Sequence, residues 1–305
     1  MKPLLIIVNP YAGKQHFKGK MLDLIDFCIR QGYEPTVLTT QGPGLASSMV
    51  SERASRYDRV ICCGGDGTLN EVISGLMACP PEARPPLGYI PAGTTNDLAA
   101  TLGIDRDVQA AVRGIFGGGE LACDIGQVGS DRYFSYIAAF GAFTEVSYQT
   151  PQPLKKTLGH LAYLLEGCKR FSDLHPYRLR VCYDAGEIEG DFIFGAVCNT
   201  RSIGGLLHFE KRDADLSDGL FELLLVRMPR SLADLSRLLS GLHNRRFDQE
   251  EVLFLHTARA AFDSGEDFSW SLDGEDGGSL RQVEIRNLPR AIRLLYDPEA
   301  AEPMR

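Results

Sequence analysis

The residues best suited to chemistry lie in Cys63-Gly64-Gly65-Asp66-Gly67-Thr68-Leu69-Asn70-Glu71-Val72. Three glycines fall within four positions there, which permits a tight turn and close approach of a ligand to the backbone. The apolar run Arg59-Val60-Ile61-Cys62-Cys63 before it reads as a buried strand, and a helix is predicted to follow at once. Thr68 and Glu71 have the spacing of a capping box. Strand, glycine turn and helix N-terminus in that order make an anion site, because N–H groups and the helix dipole face one point. Asp66 sets this turn apart. A carboxylate inside a phosphate cradle repels its ligand unless a divalent cation lies between them or a hydroxyl donates to it.

Companion loops carry the same chemistry. Asn9, Pro10, Ala12, Gly13 and Lys14 offer a backbone cradle followed by a cation that suits phosphate. Thr40 stands at a strand end, where its hydroxyl could meet a nucleotide. In Pro91-Ala92-Gly93-Thr94-Thr95-Asn96-Asp97, Thr94 and Asp97 are again at capping-box distance before a predicted helix.

Strands and helices must alternate to position these loops. Strands are expected at Leu4–Val8, Pro35–Thr39, Asp58–Cys63 and Leu87–Ile90. Helices are expected at Phe17–Arg30, Leu45–Arg56, Thr68–Met77 and Val108–Phe116, with Gly32 and Gly117-Gly118-Gly119 as stops. That order predicts a parallel α/β domain over residues 1–122, its ligand loops all following the carboxyl ends of strands. Strand runs dominate after Leu121: Cys123–Val128, Tyr133–Phe140, Tyr177–Tyr183, Asp191–Asn199, Leu220–Arg227, Glu251–Phe262, Phe268–Leu272 and Gln282–Asn287. Helices are expected only near Leu154–Phe171 and Leu232–Leu242, and Asp184-Ala185-Gly186, Ser217-Asp218-Gly219 and Asp273-Gly274 read as turns. Residues 123–290 are therefore read as a mainly antiparallel β-sandwich. The final run Ala291–Tyr296 belongs to it or returns, as segment 291–305, to the first domain.

At 305 residues, 44% hydrophobic and 24% charged, the chain can build a full core. No apolar run is long enough to span a bilayer, and Met1–Val8 reads as a first strand rather than a signal peptide. The eight cysteines are scattered through apolar segments without C-x-x-C pairs, which reads as buried thiols in a reducing cytoplasm. A net charge of −8 argues against nucleic-acid binding. The chain has no P-loop, no G-x-G-x-x-G, no His cluster with zinc spacing and no kinase H-R-D loop.

Val8-Asn9-Pro10-x-Ala12-Gly13-Lys14, the Gly64–Glu71 stretch and Pro91-Ala92-Gly93-Thr94-Thr95-Asn96-Asp97-Leu98-Ala99 together resemble the diacylglycerol kinase catalytic-domain family, which includes sphingosine and ceramide kinases and soluble bacterial lipid kinases. The resemblance continues through Asp124-Ile125-Gly126, Leu154-Lys155-Lys156-x-Leu158-Gly159, Asn199 with Gly204-Gly205, Asp215 with Asp218-Gly219, and Leu272-Asp273-Gly274-Glu275. It thus covers nearly the whole chain in order. The Gly-Gly-Asp-Gly element alone is shared with NAD kinases and phosphofructokinases.

The resemblance implies ATP bound in an interdomain cleft and transfer of its γ-phosphoryl group to a lipid hydroxyl. It matches Asn9 to Gly13, Thr40, Gly64 to Asn70 and Thr94 to nucleotide-binding positions, and Glu275 to the proton acceptor. It matches Asp215 and Leu220, through backbone carbonyls, and Asp218, through its carboxylate, to a structural Mg²⁺ site. It also implies pairing of two copies through the second domain. The residue chemistry agrees: a carboxylate such as Glu275 can accept a hydroxyl proton, and Asp66 and Asp124 can hold Mg²⁺ through water. Phosphoryl transfer then needs charge neutralisation, from Mg²⁺, Lys14 and helix N-termini. Basic pairs at Lys155-Lys156, Lys169-Arg170, Lys211-Arg212 and Arg245-Arg246 suit an anionic membrane surface, placing the protein in the cytoplasm or peripherally at the inner membrane face, although solvated charge is the commoner meaning of such pairs. Three readings stay open: a diacylglycerol kinase, a kinase of another acceptor (a sphingosine-type lipid or NAD), and a nucleotide-binding protein without catalysis.

Overall fold

The computed structural model describes residues 1–12, 18–141, 175–200, 202–203, 207–208, 215–243 and 250–297. The helix expected at Leu154–Phe171, the basic pairs and residues Gly13 and Lys14 lie outside them. The chain forms two units, Met1–Ile125 with Pro289–Arg305, and Gly126–Leu288.

The first unit is built on β1 (Lys2–Val8), β2 (Tyr33–Thr39), β3 (Arg59–Gly64), β4 (Leu87–Pro91) and the end of β15 (Glu275–Tyr296). They pair in the order β2-β1-β3-β4-β15, each contact parallel. Leu4, Leu5, Ile6 and Ile7 are fully buried, as expected of a strand covered on both faces, and each such side chain contributes roughly 2 kcal/mol. The strand ends are in register: Val8 stands opposite Thr39 and Cys63, and Gly64 opposite Pro91. The loops beginning at Asn9, Thr40, Gly65 and Ala92 therefore leave the same edge.

Among the described residues, α1 (Met21–Arg30), α2 (Leu45–Arg53), α3 (Asp66–Met77), α4 (Asp97–Leu102) and α5 (Val108–Gly117) cover this sheet. Leu24 and Cys28 of α1 and Val112 and Ile115 of α5 share a core with Leu4, Ile6 and Val8. Helix α1 begins four residues later than expected, after a 3-10 turn at Lys18–Lys20. Gly32, at φ 84°, ends it and donates its N–H to the Ile29 carbonyl. Helices α2 and α3 pack tightly at Gly75, where a Cβ would lie 2.6 Å from the Ser47 carbonyl oxygen.

The second unit contains β6 (Arg132–Phe134), β7 (Ile137–Gly141), β8 (Tyr177–Tyr183), β9 (Gly186–Cys198), β12 (Phe221–Arg227), β13 (Val252–Thr257), β14 (Arg259–Leu272) and the first part of β15, with the end of β5 (Gly119–Val128); the short β10 (Ser202–Ile203) and β11 (Leu207–His208) pair with each other. The pairings are antiparallel. Alternation along β12 sends Phe221, Leu223 and Leu225 into one core with Phe140, Phe262 and Trp270. Leu224 and Val226 enter another with Leu235 and Leu238 of α6 (Leu232–His243).

Two runs read as single strands are each broken in two, and in both cases a carboxylate explains the break. Tyr133–Phe140 becomes β6 and β7 because the N–H groups of Ser135, Tyr136 and Ile137 turn to the Asp273 carboxylate. Glu251–Phe262 divides at Ala258, whose N–H, like the Thr257 hydroxyl, donates to Asp184. Conversely, Gln282–Asn287 and Ala291–Tyr296 are parts of one strand, β15, whose Leu294 and Leu295 pair with Leu87 and Gly88 of β4. Cys28, Cys62, Cys63, Cys79, Cys123 and Cys198 are buried free thiols, whereas Cys182 is exposed.

Candidate functional site

The glycine turn is positioned by its neighbours more than by its own sequence. Helix α3 begins at Asp66, two residues before the expected start, with Gly65 as N-cap. The Thr68–Glu71 capping box is therefore not formed: both residues already lie inside the helix. Thr68 Oγ1 instead accepts a 2.9 Å hydrogen bond from Asn9 Nδ2. Asn9 Oδ1 accepts from the Tyr11 N–H at 2.9 Å, an Asx turn that shapes the first loop.

Glu71 has a different task. Its two carboxylate oxygens accept the N–H groups of Gly44 and Ala46, at 2.7 and 3.0 Å. It thereby caps α2 from the neighbouring helix and anchors the chain that follows Thr40. Thr40 itself is buried, its N–H donated to the Val8 carbonyl.

Close backbone packing joins the glycine turn to the next loop. A Cβ on Gly93 would come within 2.6 Å of Gly65 Cα, and one on Gly64 would strike Thr68. These glycines are needed for chain to pass chain, a use distinct from admitting a ligand. Asn96, at φ 56° and 1% exposed, completes the joint. Its backbone N–H donates to Asp66 Oδ2 at 2.7 Å. Its side chain donates to the Gly93 carbonyl and accepts from the Gly93 N–H and the Tyr89 hydroxyl. Burial, and then the charge of Asp66, push the Tyr89 hydroxyl far above its ordinary value, so it stays a donor. The Thr94–Asp97 spacing does not mark the helix start either, since α4 starts at Asp97 with Asn96 as N-cap. Arg106 instead holds the carbonyls of Thr94 and Thr95.

Asn9, Thr40, Gly64 to Asn70, Glu71, Gly93, Thr94 and Asn96 thus meet at one edge of the first unit, with the side chains of Glu71 and Asn96 committed to the scaffold. Asp124 lies on β5, fully buried, and accepts the Arg290 N–H at 2.7 Å. That bond supports β15 where Arg290 adopts φ 53°. Cys62 and Cys63 are not nucleophiles, because burial pushes both thiols well up.

In the second unit, Asp215 and Asp218 are exposed and form local turns, accepting the N–H groups of Ser217 and Leu220 respectively. Glu275 is exposed and opens β15 directly after the Asp273-Gly274 turn. Asp273, which the sequence reading passed over as a turn residue, is 2% exposed and accepts four hydrogen bonds. Only the Asp-Gly dipeptide signals the turn; nothing local signals the burial.

Residues 3–128 match the family model described as the diacylglycerol kinase catalytic domain, and residues 140–296 match that of the YegS C-terminal NAD kinase beta sandwich-like domain. The chain is 37% identical to a diacylglycerol kinase of Bacillus subtilis (strain 168), covering 100% of this chain and 99% of the relative. It is 36% identical to a diacylglycerol kinase of Staphylococcus aureus (strain MRSA252), covering 94% and 90%. A crystal structure of a diacylglycerol kinase from Bacillus anthracis str. Sterne superposes with a TM-score of 0.74 at 21% identity, over 98% of both chains. Another from that organism gives 0.82 at 24% identity, over 98% of this chain and 97% of the other. These last two likenesses establish the fold.

Proposed function

The chain belongs to the diacylglycerol kinase catalytic-domain family and is a lipid kinase, and from that premise we propose that it transfers the γ-phosphoryl group of ATP to diacylglycerol, making phosphatidic acid. One observation carries the nucleotide half of the reading. Helix α3, which spans 12 residues, starts at Asp66 directly after β3 and Gly65, so its N-terminus lies at the loop edge of the sheet. A helix start beside a glycine turn suits the phosphates of a nucleotide.

Glu275 is the proton acceptor in this reading. The acceptor hydroxyl gives its proton to the Glu275 carboxylate as its oxygen bonds the γ-phosphorus and the bond to the β-phosphate oxygen breaks. Asn9, Thr68 and Thr94 orient the nucleotide. Among the described residues no group of three or more His, Cys, Asp or Glu side chains could hold a metal. Asp66 or Asp218, with carbonyls and water, would hold Mg²⁺ in this reading, the hard oxygen donors this ion takes. When bound, Mg²⁺ neutralises phosphate charge.

The test supplies γ-labelled ATP with diacylglycerol, sphingosine or NAD as acceptor. Label in phosphatidic acid is expected, with Glu275→Gln lowering kcat by about 10²- to 10⁴-fold. Label in phosphorylated sphingosine or in NADP replaces the acceptor; the NAD arm is included because residues 140–296 match a domain described as NAD kinase-like. Unchanged turnover in Glu275→Gln removes the base.

A further inference from the structure

Asp273 and Gly274 form a two-residue hairpin loop, with Leu272 paired to Glu275 across it. Both have positive φ, 50° and 82°, the backbone of a type I′ turn, for which Asp-Gly suffices without any side-chain partner. Asp273 nevertheless turns its carboxylate inward. Oδ2 accepts the Ser135 N–H at 2.7 Å and the Ser135 hydroxyl at 2.9 Å. Oδ1 accepts the N–H groups of Tyr136 and Ile137, each at 3.0 Å. The Asp273 N–H donates back to the Ile137 carbonyl at 2.9 Å.

Burying a charge is costly unless it is fully hydrogen-bonded, and the arrangement exceeds what a turn needs. It ties the hairpin to the start of β7, which is itself held by the Asn199 N–H on the Tyr136 carbonyl. The exposed Glu275 follows two residues later on this platform. We infer that Asp273 is a positioning residue for Glu275, fixing the hairpin so that the base is held at a constant height and direction. The inference rests on Glu275 being the proton acceptor. A turn left to itself would let the carboxylate wander, and a displacement of about 1 Å is enough to cost ~10²-fold in rate.

Asp273→Asn places an NH₂ against two of the four donors and so releases one side of the clasp. The expected result is a kcat lower by about 10- to 100-fold, with the KM for ATP within about twofold of wild type. Ser135→Ala, which removes one bond of four, should give a smaller loss of about 2- to 5-fold, and it carries the test if Asp273→Asn does not fold. The deciding measurement repeats both changes in a Glu275→Gln background, where a residue acting through Glu275 should cost less than about threefold more. Equal losses in both backgrounds, or a raised KM at constant kcat, would overturn the inference. Wild-type kcat in Glu275→Gln alone would instead overturn the assignment of the base, so the two failures are told apart.

Discussion

Asn96 donates its backbone N–H to Asp66 Oδ2 at 2.7 Å, joining the loop after β4 to the first residue of α3. The bond is charge-assisted and partly buried, a geometry stronger than a neutral pair. It requires Asn96 to keep its left-handed conformation, and the side-chain bonds to Gly93 and Tyr89 maintain it. Asn96→Ala should therefore destabilise the protein by about 3 kcal/mol, combining lost bonds to buried groups with strain at positive φ. Asn96→Gly removes the strain alone and should recover about 1 kcal/mol of that. Urea midpoints with unchanged slopes measure both; equal midpoints for the two variants would show that the conformation carries no cost.

The sequence shows elements well where the signal is local. Arg59 to Cys63 reads as a buried strand because every step from Val60 is apolar, and it is β3 to within a residue at each end. Tyr177–Tyr183 is found with both bounds correct. The failures share one cause, a partner distant in sequence. Ser/Thr-x-x-Glu signals a capping box only if the helix starts at the Thr, and here Asp66 and Gly67 enter the helix first. Glu71 is then free to reach Gly44 and Ala46. Asp273 looks like any turn acid because its donors lie at Ser135, Tyr136 and Ile137. Gln282–Asn287 and Ala291–Tyr296 read as two runs, which β15 joins, with the Arg290 N–H donated to the distant Asp124.

Gly93 and Gly65 provide a steric test of how the loops meet. A Cβ on Gly93 would sit 2.6 Å from Gly65 Cα and 2.7 Å from Asn96 Oδ1, whereas one on Gly65 would sit 3.1 Å from Gly93 Cα. Both contacts involve backbone, which cannot step aside as a flexible side chain can. Gly93→Ala should cost about 3 kcal/mol and Gly65→Ala about 1 kcal/mol, within the range for overpacking. Thermal or urea unfolding gives the order directly. A Gly93→Ala protein as stable as wild type would mean that the loops do not touch.

Glu71 offers a readout independent of turnover. Its carboxylate takes the N–H groups of Gly44 and Ala46 at the start of α2, and losing a cap of this kind costs about 1 kcal/mol. Amide exchange in Glu71→Ala should quicken roughly fivefold at Gly44 and Ala46 while β1 keeps its protection, as local opening predicts. Glu71→Gln, retaining one oxygen, should fall between. Uniform acceleration across the unit would point to global destabilisation instead of a lost cap.

Asp107 links stability to pH. It caps α5 through the N–H groups of Gln109 and Ala110 and pairs with Lys20 at 2.6 Å. Lys20 first, then the Ala110 N–H, hold its carboxyl below the ordinary value. A folded-state value below the unfolded one means that the ionised group stabilises the fold. That contribution is complete above the unfolded carboxyl value of about 3.9 and is lost as pH falls through the lower folded value. The ion pair is half-exposed and screened, so the cap supplies most of the effect, about 1 kcal/mol. The gap in urea midpoint between wild type and Asp107→Ala should hold its full size from neutral pH down to about pH 5, and close at lower pH as the carboxyl protonates. A gap of constant size across that acid range would show that the carboxylate's charge does not support α5.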